Sequence, residues 1–114
     1  MQHEQKRRRD ILERLIELEQ ALRLLGWWSS DAPTTSQLGS EMPFCVDTLA
    51  FEQWLQFIYI PRLTDLLQRG QPLPGKSGVA EMAEEVLDLE IDTIRSVISV
   101  LRQVDELLEG SSKA

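Results

Sequence analysis

Residues 43–75 read PFCVDTLAFEQWLQFIYIPRLTDLLQRGQPLPG, and their apolar pattern decides the fold class. From Phe51 to Ile60, apolar side chains would surround a helix on almost every side, which is typical of a helix at the centre of a bundle. Pro61 lacks an amide hydrogen and disfavours helical geometry in the residue before it. The stretch therefore predicts a central helix that either kinks at Pro61 or restarts with Pro61 in its first turn.

The ends of this central helix carry their own signals. Asp47 or Thr48 can cap its first turn, since either side chain can accept a hydrogen bond from a backbone amide. Gly70 is expected to close the helix, and the proline- and glycine-rich residues 71–78 predict a turn. Within that turn, Pro-Leu-Pro predicts a rigid corner with Leu73 as an apolar anchor.

Two further helices flank the central one. The first is predicted from about Glu4 to Leu25, ending at Gly26, because apolar residues recur at steps of four and three. These residues are Ile11, Leu15, Leu18, Leu22 and Leu25. The last helix is predicted from about Val79 to Leu108, with a broad apolar face.

The segment from Trp27 to Val46 contains two prolines, a glycine and a serine and threonine cluster, which predict a loop. Unstructured connections of this length are uncommon in a compact domain. Trp27, Trp28 and Phe44 lie near its two ends, and we expect these aromatic side chains to hold the loop against the core.

The fold class that follows is all-α: about four helices in a compact bundle, with a long ordered loop between the first and second helices. Residues 1–109 are expected to form a single domain and residues 110–114 a disordered tail. A chain of 114 residues can bury one hydrophobic core without disulfide or metal staples.

The net charge of −7 is unevenly distributed. Without residues 1–10 the chain keeps eight basic and seventeen acidic residues, or −9. Such an acidic body repels phosphates, so nucleic acid is disfavoured as a partner except at Lys6, Arg7, Arg8 and Arg9. These four positive charges oppose the dipole of the first helix, and we expect the basic run to be solvated and frayed.

The single cysteine, Cys45, excludes an internal disulfide and fits a reducing compartment. We expect it to be a small buried hydrophobe, because a reactive thiol would need a cationic neighbour. No apolar run approaches the ~18 residues of a membrane span. Charged residues also interrupt every apolar stretch behind the basic amino terminus, unlike a secretory signal. We expect a cytoplasmic protein with no membrane partner.

Acidic residues at steps of four, three and four give the last predicted helix an acidic stripe, consisting of Glu81, Glu85, Asp88 and Asp92. A solvated face explains the stripe best, ahead of a docking surface for a basic partner and of a Mg²⁺ or Mn²⁺ site. One cysteine and one histidine, His3, disfavour zinc. Phosphate loops, dinucleotide fingerprints and nucleophile elbows are lacking, so we expect neither an enzyme nor a cofactor.

Candidate binding residues cluster in and before the central helix. They are Trp27, Trp28, Phe44, Asp47, Thr48, Trp54, Gln56, Arg62 and Leu73. The aromatic members are expected to line an apolar site. Arg62 follows the helix-disrupting Pro61, where its guanidinium can reach a carboxylate, a free helix carbonyl or a bound anion.

Motifs in one fixed order connect these residues to a known family. They are Phe-x-x-Asp-Thr from Phe44, Trp-Leu-Gln from Trp54, Ile-Pro-Arg from Ile60, Asp-Leu-Leu from Asp65 and Gln-Pro-Leu-Pro-Gly from Gln71. In this order the sequence resembles the YqcC-like family of small bacterial proteins along essentially the whole chain. The resemblance implies an all-α domain of about four helices with no agreed biochemical function.

The resemblance also implies a link with tRNA pseudouridine synthases, with which members are often associated. This chain is too short to be such an enzyme and lacks its alternating strand pattern. Two functions follow: a module that binds an unknown protein partner or a ligand, or an accessory factor in tRNA modification. The apolar face of the last predicted helix is also compatible with a homodimer.

Overall fold

The structure, a computed structural model, describes residues 2–75 and 78–110, without the side chains of residues 2, 3 and 110. Its first part comprises α1 (Gln2–Leu24), α2 (Thr35–Leu38) and a 3₁₀ turn, Pro43–Cys45. The middle part comprises α3 (Phe51–Trp54), a π-helical turn (Leu55–Tyr59) and α4 (Ile60–Gln68). Its last part comprises α5 (Val79–Val86) and α6 (Asp92–Gly110). These residues contain no β-strand, and the all-α prediction is confirmed.

The predicted tail differs at its first residue, because Gly110 ends α6 instead of beginning an irregular segment. The rest of that tail, residues 111–114, lies outside the described residues, as does the side chain of His3.

The predicted stripe of α1 forms its buried face. Ile11, Leu15, Leu18 and Leu22 are at most 2% exposed. The helix stops where predicted, since Gly26 has a φ of +75° and the amide of Trp27 donates to the carbonyl of Leu22 at 3.0 Å. Left-handed geometry of this kind strains residues with a Cβ, which explains the glycine.

The centre of the core lies between α1 and α6, and not in the helix that the sequence placed there. Fully buried side chains of α6 include Ile94, Val97, Leu101, Val104 and Leu108. In contrast, residues 57, 58 and 60 of the predicted central helix are only partly buried. That helix buries a single face, formed mainly by Phe51, Leu55, Tyr59 and Leu63, against the α1–α6 pair. We call residues 51–68 the 51–68 helix.

Pro61 lies in the first turn of α4, as one of the two predicted alternatives had it, but the chain stays helical through this point. The preceding turn widens to a π-helix, in which the amide of Ile60 donates to the carbonyl of Leu55. A proline ring clashes with the carbonyl four residues before it in a regular α-helix, and a wider turn relieves such a clash. Gly70, with a φ of +66°, closes the helix as predicted.

The predicted caps of the 51–68 helix are wrong. Ala50 is the N-cap, and its amide donates to the side-chain oxygen of Gln53 at 2.9 Å. Asp47 instead accepts a hydrogen bond from the hydroxyl of Ser40, and the Thr48 hydroxyl donates to the carbonyl of Gln37 at 2.8 Å. Both side chains therefore stabilise the preceding loop.

The loop is ordered and packs against the bundle, as the aromatic residues at its ends predicted. Gln56, which is 7% exposed, donates to the carbonyl of Ser29 at 2.7 Å and accepts from its amide at 2.8 Å. Trp27, Trp28 and Phe44 pack against the core. Cys45 is buried within the loop, consistent with its predicted role as a small hydrophobe.

The long last helix of the sequence prediction is broken into α5 and α6. Leu87 adopts an extended conformation, with φ −107° and ψ 156°, and the Asp88 side chain accepts from the amide of Glu90 at 3.0 Å. An aspartate that bonds its own neighbouring backbone favours a turn over a helix. The acidic stripe is therefore not one helix face: Glu81 and Glu85 belong to α5, Asp88 to the turn and Asp92 to α6.

A buried side chain fixes α5 against α6. Asp105 of α6 is 1% exposed, and its Oδ2 accepts from the amide of Ala80, in the first turn of α5, at 3.2 Å. First-turn amides have no partner within their own helix, and negative charge there is favourable with the helix dipole. Asp105 therefore acts as a cap supplied by a neighbouring helix.

We expect Asp105→Ala to lower the free energy of unfolding by about 1–3 kcal/mol, because the buried Ala80 amide loses its acceptor. The neighbouring exposed residue provides a control: Glu106→Ala should change stability by no more than about 0.5 kcal/mol. Urea unfolding followed by tryptophan fluorescence measures both. Hydrogen exchange should accelerate first in the amides of α5, and equal stability of the two variants would contradict the capping role.

Candidate functional site

A cleft of about 390 Å³ lies between the 51–68 helix and the turn that follows it. One wall consists of helix residues Trp54, Ile58, Tyr59, Arg62, Leu63 and Leu66. The other consists of Pro72, Leu73 and Pro74, and Leu108 of α6 also lines it. We call this cavity the Trp54 cleft. Its size lies within the range of about 300–1,000 Å³ typical of small-molecule sites.

The π-helical turn shapes the helix wall. Trp54 and Tyr59 are five residues apart, a spacing that a regular α-helix places on different faces. Across the wider turn their ring centroids approach to 5.4 Å. From Tyr59 onward the α-helical steps of three and four place Arg62, Leu63 and Leu66 on the same wall.

Two arginines of the basic run support the region around the cleft. Arg8 donates to the carbonyl of Gln71 at 2.6 Å, which ties the start of the turn to α1. Arg7 donates to the carbonyl of Leu107 at 2.9 Å, where the last turn of α6 leaves carbonyls without helical partners. Both also pair with Glu4, and the hydrogen bond from Arg7 is the main reason that the pKa of Glu4 is lowered.

Residues 6–9 all lie within α1, so the expected fraying is wrong, and the expected solvation is wrong for two of the four. Lys6 and Arg9 are exposed, whereas Arg7 and Arg8 are folded into contacts with the bundle. Repulsion by the dipole of α1 is offset because Glu4 and the two backbone carbonyls supply negative partners.

An aromatic cluster joins the loop to the cleft. Phe44 meets the ring of Trp54 edge-on at 4.9 Å between centroids, and Phe51 stacks on Trp54 at 6.1 Å. Phe44 itself has a φ of +58°, an uncommon conformation for a residue with a side chain. Because Phe44 and Phe51 pack against Trp54 from behind, they hold its ring in place as a wall of the cavity.

Tyr59 is the most perturbed titratable group in the cleft wall. Burial, and then the negative charge of Asp105, raises the pKa of Tyr59 well above its ordinary value of 10.0. Its hydroxyl is buried and makes no hydrogen bond within residues 2–75 and 78–110. The buried phenol therefore keeps its proton at physiological pH, and Arg62 is the charged residue among those that line the cleft.

Three of the nine sequence candidates line the cleft: Trp54, Arg62 and Leu73. Phe44 supports Trp54 from behind, whereas Trp27 and Trp28 pack elsewhere on the core, with the Arg23 guanidinium 4.8 Å from the Trp28 ring centre. The side chains of the remaining three candidates form hydrogen bonds with residues of the loop, as described above. They are Gln56, Asp47 and Thr48. The expected aromatic site is thus divided, and only Trp54 reaches the cavity.

Seven residues that line the cleft were not among the candidates predicted from the sequence. They are Ile58, Tyr59, Leu63, Leu66, Pro72, Pro74 and Leu108. Steps of three and four from Arg62 would have found Leu66, Ile58 and Tyr59, whereas the contribution of Leu108 depends on how α6 packs.

Metal clusters and membrane-spanning helices are both lacking in the part of the chain that the structure describes. No group of three or more His, Cys, Asp or Glu side chains there is placed to hold a metal ion. No helix in that part has both the length and the hydropathy needed to cross a membrane.

Comparison with known proteins gives a consistent set of relatives. A family model described as "DUF446: tRNA pseudouridine synthase C" matches residues 10–107. An uncharacterized protein of Haemophilus influenzae is 31% identical over 104 residues, covering 91% of this chain and 97% of that protein. The uncharacterized protein YqcC of Escherichia coli is 38% identical over 90 residues, covering 79% of this chain and 83% of YqcC.

A solved structure and one enzyme complete the comparison. The solution NMR structure of YqcC from E. coli superimposes with a TM-score of 0.79 at 34% identity, covering 90% of this chain and 88% of YqcC. A tRNA pseudouridine synthase C of Pectobacterium carotovorum is 34% identical over 68 residues, which are 60% of this chain but 18% of that enzyme.

We expect Tyr59 to lower the stability of the folded protein at alkaline pH. Because its folded pKa lies above 10.0, the folded state keeps a proton that the unfolded state loses, so stability falls as pH rises beyond 10. Tyr59→Phe should remove this loss and, at neutral pH, change the free energy of unfolding by no more than about 1 kcal/mol, since no hydrogen bond is broken.

Urea unfolding of both variants between neutral pH and strongly alkaline pH measures the difference. The chain has a single tyrosine, so tyrosinate absorbance also reports this group alone. Parallel pH profiles for the two variants, or ionisation of the folded protein near pH 10, would contradict the burial of the phenol.

Proposed function

This chain belongs to the YqcC-like family, and from that premise we propose that it is a non-catalytic binding module whose working site is the Trp54 cleft. The observation that carries the proposal is the cavity itself, preformed and apolar, with one exposed cation in its wall. Ligand sites are usually concave and apolar with a few polar groups, and the Trp54 cleft has this composition.

The chemistry of the lining supports a role in binding over one in catalysis. Tyr59 and Arg62 are its titratable residues. A phenol whose pKa is raised is a poor base at neutral pH, and a guanidinium keeps its proton there. The described lining contains no carboxylate, imidazole or thiol that could act as a nucleophile or general base.

A second function, accessory factor in tRNA modification, is favoured by the match in Pectobacterium. There, a segment similar to this chain occupies a small part of a much longer protein named tRNA pseudouridine synthase C. Joining two units in one polypeptide gives them a high effective concentration, which is useful when both act on the same target. A separate chain of the same family would have to bind such a synthase instead.

The basic run gives weaker support to direct contact with tRNA. Arg7 and Arg8 are engaged within the fold, which leaves Lys6 and Arg9 exposed to meet phosphates. We therefore propose that the accessory role depends more on contact with the enzyme than on contact with the RNA. Pairing with a second copy of the chain stays a prediction.

We expect Leu73→Arg to abolish binding through the cleft, because a charged side chain would occupy an apolar cavity. The tagged chain is purified from a bacterial lysate without denaturant, and retained proteins and small molecules are identified by mass spectrometry. Wild type should retain a species that Leu73→Arg loses.

The control is Leu24→Arg, since Leu24 is 82% exposed and lies outside the cleft. This variant should retain the same species as wild type, and circular dichroism checks that all three proteins are folded. Identical retention by wild type and Leu73→Arg would overturn the assignment of the cleft as the working site.

For the accessory role we expect the purified chain to co-elute with a bacterial tRNA pseudouridine synthase C in gel filtration and to raise its yield of pseudouridine. A double variant, Lys6→Gln with Arg9→Gln, tests direct contact with tRNA. If these charges touch phosphates, the variant should weaken tRNA binding and flatten its salt dependence. Separate elution together with an unchanged yield would contradict the accessory role.

A further inference from the structure

We propose that the Trp54 cleft binds a small carboxylic acid, with the carboxylate on Arg62 and an apolar body between Trp54 and Leu73. The inference rests on the proposed function, since it names the ligand of the same cleft. Three observations carry it: the state of Arg62, the composition of the walls and the size of the cavity.

Arg62 is an exception among the arginines of this acidic chain. Seven of the nine arginines form an ion pair with a carboxylate, and Arg62 and Arg9 are the two that do not within residues 2–75 and 78–110. Of these two arginines, Arg62 is the one that lines the Trp54 cleft. Even Asp65, one turn after Arg62, pairs instead with Arg69 at 2.9 Å.

The side chain of Arg62 is thus exposed at an apolar wall with its hydrogen-bond donors available. A guanidinium presents parallel N–H groups that match the two oxygens of a carboxylate, and apolar surroundings strengthen the pairing. The cleft therefore fits a ligand whose anionic end meets Arg62 and whose remainder is apolar.

The rest of the cleft limits what the ligand can be. A phosphate usually meets several cations or a row of backbone amides, whereas Arg62 is the only cation among the described lining residues. A cavity of about 390 Å³ suits a small molecule. A stable protein interface buries roughly 800 Å² on each partner, which is a much larger surface than ten side chains around a cavity provide.

Two matched pairs of probes test the proposal on the full chain: 1-naphthoate with 1-naphthalenemethanol, and octanoate with 1-octanol. Each pair shares an apolar body and differs in charge. Binding is followed by NMR of the indole N–H signals, where Trp54 reports the cleft and Trp27 and Trp28 serve as internal controls. We expect at least one of the two acids to shift the Trp54 signal selectively and to bind more tightly than its alcohol.

Arg62→Gln should weaken binding of that acid about tenfold or more and leave binding of its alcohol unchanged, because the substitution removes the charge and keeps a polar, though shorter, side chain. Arg69→Gln is the matched control, since Arg69 is an exposed arginine of the same region that does not line the cleft. This variant should bind all four probes as wild type does.

The outcomes separate this inference from the proposed function. Equal affinity for acid and alcohol, unchanged in Arg62→Gln, would overturn the carboxylate specificity while leaving the cleft as an apolar binding site. Failure of all four probes to shift Trp54 would overturn the inference as well. In that case the retention experiment with Leu73→Arg still decides separately whether the cleft is a working site.

Discussion

Pro61 is the constraint on which the arrangement of the cleft depends. A proline inside a helix removes one backbone hydrogen bond and crowds the preceding turn. Here the helix continues, and the turn before Pro61 is widened to a π-helix. Because of the wider turn, Trp54 and Tyr59 share a face, and Arg62 follows them on the wall of the cavity. Widened turns of this kind are frequent at functional sites, since they place side chains where a regular helix cannot.

Some charged side chains form contacts that stabilise the fold, whereas others remain available to a ligand. Arg7 and Arg8 donate to backbone carbonyls of α6 and of the turn after the 51–68 helix, and Asp105 caps α5 from a neighbouring helix. These groups stabilise the turn and the helices around the cleft. Arg62 has no such structural role within the described residues, so its exposed guanidinium is available to bind a ligand in the cleft.

The relatives are consistent with a module that serves both alone and as part of a longer chain. The matched proteins of Haemophilus influenzae and Escherichia coli are nearly covered by the alignment, whereas in Pectobacterium the similar segment is a small part of the protein. A compact helical unit with its own core can be used in both ways, because its stability does not depend on the attached polypeptide. The two proposed functions are compatible, since an accessory factor can also carry a ligand site.

Local signals in the sequence determined the helical class, the stop of α1 at Gly26 and the anchoring of the loop by its aromatic residues, because periodicity and backbone preference act over a few residues. The sequence also selected Trp54, Arg62 and Leu73. Tertiary structure alone decided that α1 and α6 form the centre, that Ala50 rather than Asp47 or Thr48 begins the 51–68 helix, and that Arg7 and Arg8 have backbone partners. It also decided that the first turn of α5 meets Asp105 of α6. These outcomes depend on which side chains and backbone groups distant segments present to each other, and no local pattern contains that information.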